Sequence, residues 1–407
     1  MTIYQPPAGA RDLLPLEVAQ KSWINDRLQQ IFHQWGYQRI VTSTLEWLDT
    51  LTAGGAIQPS TVIQLRNDSE KTLGLRPELT ASIARAAVTR MAGNTYPQRL
   101  CYRANVFRNP THNHHGRQLE FYQAGVELLF AEGILADTEI ILLVADCLEA
   151  LGITDWHILL GEAGLTKALL EIFPESTRKQ VRYCLANLDR IALESLPLPA
   201  NLQELAKLLF ELRGKPEAVL AKVMDFDLDS TAKSKVSNLQ SLIDLLNRSS
   251  EKPLPLALDL SLLQTFDYYT GIVFKVVSFQ DNQSHLLGKG GRYDRLLGLY
   301  HPQGNMASGI GFSFNIEDLH ACLLNTAKLP QQTQTTDYLV IPITPEASTA
   351  ALQYARKLRS SEDSLKVETD LGARSPDQIR EYALNCRIKC LAWITIDGTP
   401  TIETLAT

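Results

Sequence analysis

Four segments of the sequence place polar side chains where they could grip a small charged molecule. The first, Leu75-Arg76-Pro77-Glu78-Leu79-Thr80, sets a carboxylate and a hydroxyl two residues apart. That pair could receive an ammonium group. It also has the make-up of a helix start, with Pro77 near the first position and Glu78 favourable to the helix dipole. The second segment is Val106-Phe107-Arg108, then a polar loop, then Glu120 to Glu127 (EFYQAGVE). In a strand, Gln123, Gly125 and Glu127 share a face. A glycine between two polar side chains packs a core poorly and leaves room for a ligand. The third, Phe266 to Gly271 (FDYYTG), pairs Tyr268 with Tyr269 ahead of a Thr-Gly turn, which could also be core packing with hydroxyl pairing. The fourth, Gly288 to Asp294 (GKGGRYD), is glycine-rich but lacks the GxxxxGK[ST] pattern that cradles phosphates.

The loop Asn109–Arg117 holds His112, His114 and His115. No carboxylate or cysteine at ligand spacing accompanies them, so a metal site is not expected and an exposed loop is. The six cysteines, spread from Cys101 to Cys390 without a CxxC, read as reduced, mostly buried thiols of a cytoplasmic protein.

The rest of the chain must position these segments. It has 407 residues, 45% apolar and 21% charged, enough for two or three cores and too apolar for disorder. The apolar run Ile140–Ala145 stops at Asp146, far short of a membrane span, and Met1–Leu14 does not read as a secretory signal. A net charge of −6 argues against a chain that holds nucleic acid mainly through phosphates, unless a local basic patch does so.

Pro15 opens a helix whose apolar face is Ile24, Leu28, Ile31 and Trp35, with Gly36 as its stop. Gln38–Leu45 reads as a strand, 61–75 as a hairpin around Asn67-Asp68, and Leu79–Met91 as a helix. Arg99–Arg108 and Gln118–Phe130 read as antiparallel strands across the histidine loop, and Asp137 as the cap of a helix ending at Gly152. Residues 163–252 turn Leu-, Lys- and Glu-rich with helical periodicity, a helical insertion. Strands follow at Leu256–Leu262 and Ile272–Ser278, then a Gly-rich turn at Gly288–Gly291 into a short helix, then a strand at Ser308–Phe314 and a helix from Glu317. Residues 329–336 (LPQQTQTT) read as a linker. The expected domains are therefore a core over 1–328 and a small α/β unit over 337–407.

Taken in order, these motifs resemble the class II histidyl-tRNA synthetase family from Gly9 to about Leu319. GARDLLP with its helix and strand resembles the first class motif, which builds a dimer interface. VFR with EFYQAGVE resembles the second, DYYTG and GGRYD the two histidine-specific segments, and GIGFSFNIEDL lies at the third. The resemblance implies an α+β fold, an antiparallel sheet flanked by helices, with the helical insertion and the small C-terminal unit attached. It implies that Glu78, Thr80, Arg108, Gln123, Glu127, Tyr268 and Tyr269 surround a bound histidine. Glu78 with Thr80 would take the ammonium, Glu127 an imidazole N–H, and Gln123 with Gln264 could donate to the carboxylate.

Three positions depart from the family's pattern. Gln264 stands for an arginine that holds the carboxylate, Asp318 for an arginine that packs on adenine, and Pro110 for a glutamate of the second motif. Adenylation of an amino acid depends on preorganised positive charge around a polyanion. Of the three arginines only Arg108 remains, so activation is not expected, while binding can survive. Residues 337–407 carry 8 Lys+Arg and 10 Asp+Glu and match only the first part of an anticodon-binding domain, a poor tRNA module. These departures resemble a non-catalytic regulatory branch of the family. Its members form a dimeric core within a hetero-octamer, join a short-form ATP phosphoribosyltransferase chain in histidine biosynthesis, and need no cofactor. The alternatives are an active synthetase and a tRNA-binding relative.

Overall fold

The structure, a computed structural model, describes residues 4–55, 57–66, 71–93, 96–109, 118–226, 228–262, 269–280, 283–361, 364–372 and 374–405. Pro110, His112, His114, His115, Gln264 and Tyr268 lie outside the described residues, as does the Asn67-Asp68 turn. The chain divides into two units, Met1–Pro330 and Gln331–Thr407.

The first unit is built on a nine-stranded sheet. Its order is Gln38–Arg39, Gln98–Phe107, Glu120–Leu129, Gly309–Asn315, Gln283–Arg292, Ile272–Gln280, Trp156–Glu162, Leu256–Asp259 and Arg213–Gly214. Neighbours run antiparallel except at two junctions, Gln38–Arg39 with Gln98–Phe107 and Trp156–Glu162 with Leu256–Asp259, so the sheet is mixed rather than purely antiparallel. One face packs the main core. Cys101, Val126, Phe274, Phe312 and Phe314 meet Ile24 and Leu28 of the helix Pro15–Gln34 and Ile140 of the helix Ile134–Leu151. That second helix is apolar on nearly every side, which is why it is buried lengthwise. The opposite face packs Leu100, Tyr102 and Val106 under Leu79 and Ile83 at the start of the helix Thr80–Thr89. Lys21 of the first helix and the backbone N–H of Tyr122 both donate to Glu317, which fixes the last helix of this unit, Ile316–Leu323, against the sheet.

Four local expectations are corrected. Asp137 does not cap its helix. The helix begins at Ile134 after Gly133, whose φ of +84° favours glycine, and Asp137 is buried inside it. There it pairs with Arg292, whose Nε donates to Oδ1 at 2.8 Å. Gly288–Gly291 is not a turn but part of a strand. A Cβ at Gly291 would come within 2.7 Å of the Tyr269 ring and of the Ile272 carbonyl, so glycine here makes room for an aromatic neighbour. The run Gln38–Leu45 does not form one strand. Gln38–Arg39 joins the large sheet and Leu45–Trp47 a small three-stranded one, because the carbonyls of Thr42 and Ser43 accept from the buried Arg76 guanidinium instead of from a strand. The insertion carries six helices from Ala163 to Ser249 but also the two-residue strand Arg213–Gly214, which pairs with Leu256–Asp259.

The second unit is a four-stranded sheet in the order Val367–Thr369, Tyr338–Pro342, Cys390–Ile394, Pro400–Thr404, the first three parallel. Tyr338–Pro342 is covered on both faces. Leu339 and Ile341 pack under Ile379 and Ala383 of the helix Pro376–Asn385, and Val340 under Ala351 and Ala355 of the helix Ser348–Arg359. A Ser375/Gln378 capping box starts the Pro376–Asn385 helix. All six cysteines are free, four of them buried, with Cys386 exposed and Cys390 partly so. No helix among the described residues is long and apolar enough to cross a membrane.

The buried Arg292–Asp137 pair locks helix to sheet, so removing one partner should strand a charge. Arg292→Met is expected to lower stability by about 3–5 kcal/mol in urea unfolding. The double variant with Asp137→Leu is expected to recover most of that loss, and a double variant as unstable as the single one would show that the pair is not the cause.

Candidate functional site

The site begins at the chain's entry into the Thr80–Thr89 helix. Glu78 turns its carboxylate back on that helix and accepts from the backbone N–H groups of Thr80 at 2.6 Å and Ala81 at 3.0 Å. Two of the helix's otherwise orphaned donors are thus satisfied by an acid that also suits the dipole. Protein surrounds Glu78 except on its cavity side. Burial raises its pKa, and the backbone bonds and the Arg108 charge hold the rise back. Arg108, just past the Gln98–Phe107 strand, donates from Nε to the Pro77 carbonyl at 2.8 Å and lies over the Phe121 ring at 4.9 Å. The helix-start reading of this segment is realised by this carboxylate, which also lines the cavity.

Glu127 is the centre of the site. It is 2% exposed and accepts from the Thr80 hydroxyl at 2.7 Å and from the Tyr293 hydroxyl. Burial pushes its pKa up from 4.5 to about 8, the nearby Glu78 adds to this, and the two hydroxyls restrain it. Gly311 stands opposite Glu127 in the next strand, and a Cβ there would sit 2.8 Å from the Glu127 carboxyl carbon. A glycine is what lets a carboxylate lie flat across the sheet.

The fourth sequence segment splits its work by alternation. Arg292 faces the main-core side and holds Asp137, while Tyr293 reaches Glu127. Asp294 accepts from the Thr270 hydroxyl at 2.7 Å, which ties the Tyr269–Gly271 stretch to the same corner. This segment is structural bracing rather than a phosphate cradle.

Together these residues line a tight cleft with a cavity volume of about 30 Å³. Six expected residues line it: Glu78, Thr80, Arg108, Gln123, Glu127 and Tyr269. Gly125 does not open room for a ligand as its position suggests. The Tyr102 hydroxyl occupies that room, 2.7 Å from where a Cβ would be. Thr80 spends its hydroxyl proton on Glu127, so toward a ligand it offers only an oxygen acceptor. Asp318 lies in the first turn of the Ile316–Leu323 helix, where an acid suits the dipole.

Four lining residues with polar side chains were not read as site residues from sequence: Tyr102, Lys289, Tyr293 and Ser313. Lys289 and Tyr293 lie inside the GKGGRYD segment, whose glycines drew attention to phosphate rather than to the side chains between them. Tyr102 gave no signal, because only the register Tyr102↔Gly125 brings it under the site. No cluster of three or more potential metal ligands occurs among the described residues.

Residues 9–319 match the family described as histidyl-tRNA synthetase. An ATP phosphoribosyltransferase regulatory subunit of Gloeothece citriformis is 66% identical over 406 residues, covering 99% of this chain and 100% of that protein. One of Rippkaea orientalis is 65% identical over 404 residues, covering 99% of each. A crystal structure titled as an ATP phosphoribosyltransferase regulatory subunit/histidyl-tRNA synthetase from Bacillus halodurans superposes with a TM-score of 0.81 at 27% identity, over 97% of this chain and 99% of that one.

The pH dependence of Glu127 follows from its environment. Folded, it keeps its proton up to about pH 8, whereas unfolded it would release it near 4.5. The stability carried by that proton is complete below the unfolded value and is lost as the pH rises through about 8. The thermal midpoint of wild type should therefore fall more steeply between about pH 5 and 8 than that of Glu127→Gln, which cannot ionise. Parallel profiles in calorimetry would mean that Glu127 is already charged in the folded protein.

Proposed function

The chain belongs to the histidyl-tRNA synthetase family, in its branch of ATP phosphoribosyltransferase regulatory subunits, and from that premise we propose that it senses histidine without activating it. The chain supplies no catalytic group. It joins a short-form ATP phosphoribosyltransferase catalytic chain, is needed for that chain's activity, and lowers it when histidine binds. It does so as a dimeric core within a larger hetero-oligomer, in the cytoplasm and without tRNA.

The observation that carries this reading is the asymmetry of the cavity. Its amino-acid side is assembled and braced, with Glu127 held by Thr80 and Tyr293 and Glu78 fixed on the helix start. Glu127 can accept from an imidazole N–H, and in its protonated form can donate to the ring nitrogen instead. Glu78, partly open to the cavity, can still accept from an ammonium. The nucleotide side has changed in character. By the sequence resemblance Asp318 stands where the family has an adenine-stacking arginine, and an acid there would repel a polyphosphate; in the fold it lies in the first turn of the Ile316–Leu323 helix and is not among the residues lining the cavity. Amino-acid activation requires positive charge aimed at the developing charge on phosphorus. A site that has exchanged arginine for aspartate there keeps recognition and loses the chemistry.

Feedback then requires that histidine bind one state of the assembly more tightly than another. The Glu78–Thr80 helix start is suited to report occupancy, because the groups that meet the ligand are the ones that satisfy the helix terminus.

The test is reconstitution with the short catalytic chain. The two should co-elute, phosphoribosyl transfer should depend on this chain, and histidine should lower it. Glu78→Ala and Glu127→Ala are each expected to weaken histidine binding and feedback by about tenfold or more. Unaltered feedback in both would place the sensor elsewhere. Histidine-dependent exchange of pyrophosphate into ATP would identify a working synthetase, and tight tRNA binding at physiological salt a tRNA-binding relative.

A further inference from the structure

We infer that the protein has a second ligand site, an oxyanion site that takes a small carboxylate or phosphate ester on Arg103 and Asn25. It lies on the other face of the sheet from the Glu127 cavity and does not depend on how that cavity is read.

Strand alternation places it. Tyr102 lines the Glu127 cavity, so Arg103 and Asn105, on the opposite pleats of the same strand, turn toward the helix Pro15–Gln34. Between that strand and that helix lies a cavity of about 290 Å³. The helix lines it with Lys21 and Asn25, four residues apart and therefore on one face. The start of the helix Ile316–Leu323 lines it with Glu317. Arg103 reaches toward Asp26, the residue after Asn25, so the guanidinium and the Asn25 carboxamide come to the same end of the cavity.

The polar groups of this cavity are unevenly matched. Lys21 stands 3.1 Å from Glu317 and 3.4 Å from Glu17. Asn105 donates to Glu120, whose strand partner Phe107 lies four residues beyond Arg103, so that acid is about 13 Å along the sheet from Arg103. Arg103 has less. Its ion pair is with Asp26, 3.6 Å away and 76% exposed, and among the described residues its guanidinium makes no hydrogen bond. Asn25 is 7% exposed, and its carboxamide too is unbonded among the described residues. The amide oxygen is the enclosed atom, which leaves the NH2 to meet a ligand. A buried carboxamide and a half-buried guanidinium are costly to leave without partners. Both offer N–H donors, and the planar fork of a guanidinium matches the paired oxygens of a carboxylate or a phosphate. One oxyanion lying between the two satisfies them together.

The experiment is calorimetric titration of the full chain with inorganic phosphate and with acetate, each against chloride at matched ionic strength. At least one of the two should bind above the chloride control. Tighter phosphate assigns the site to a phosphate ester, and tighter acetate to a carboxylate. Arg103→Met should weaken that binding about tenfold or more, and Asn25→Leu about threefold or more. Arg103→Lys, which keeps the charge and loses the fork, should fall between wild type and Arg103→Met. Arg108→Met, in the Glu127 cavity, should bind the anion as wild type does. If neither anion binds wild type above the chloride control, the cavity holds only water and the assignment fails. It fails equally if Arg108→Met abolishes binding while Arg103→Met leaves it intact, because the anion then sits in the other cavity.

Discussion

The structure of this protein turns on one buried carboxylate. Glu127 has almost no contact with water, and a carboxylate so placed is tolerated only if it is hydrogen-bonded or protonated. The fold supplies the Thr80 hydroxyl from a helix start and the Tyr293 hydroxyl from the end of a distant strand. Three stretches far apart in sequence are thereby committed to one point. The same arrangement leaves the carboxyl near its own transition between charged and neutral forms, which on the proposed reading would suit an imidazole partner of similar proton affinity.

Glycines in the strands let bulky side chains lie close across this face of the sheet. Gly311 clears the carboxylate of Glu127, Gly125 the hydroxyl of Tyr102, and Gly291 the ring of Tyr269. Glycine in a strand interior gives up packing and adds conformational entropy to the unfolded chain. The cost is offset beneath, where the other face of the same strands carries Phe274, Phe312 and Phe314 into the main core. The buried Arg292–Asp137 pair then ties the strand that carries Tyr293 to the most apolar helix of the molecule. A stiff sheet with one sculpted face is the kind of support that holds a binding geometry without relying on a mobile loop.

On the proposed reading, recognition and catalysis would separate in this cavity because they need different electrostatics. Holding a zwitterionic amino acid takes a few fixed charges and hydrogen-bonding groups. Activating it takes a field strong enough to gather a polyphosphate and stabilise the charge that develops on it. Asp318 lies in the first turn of its helix, where an acid suits the helix terminus.

Much of the fold was legible in the sequence. Pro15 and Gly36 bracket the first helix, apolar alternation marks Gln98–Phe107 and Glu120–Leu129, and Glu78, Thr80, Gln123 and Glu127 announce a polar face where a core would be expected. These follow from local rules of backbone freedom and side-chain period, which act within a few residues. Tertiary structure alone decided the rest. That Asp137 is an ion-pair partner rather than a cap, that Gly288–Gly291 is a strand, and that Tyr102 and Lys289 belong to the site all depend on which strand lies beside which. Register across a sheet joins residues tens to hundreds of positions apart. It is set by the mutual burial of whole faces, a property that no single segment carries.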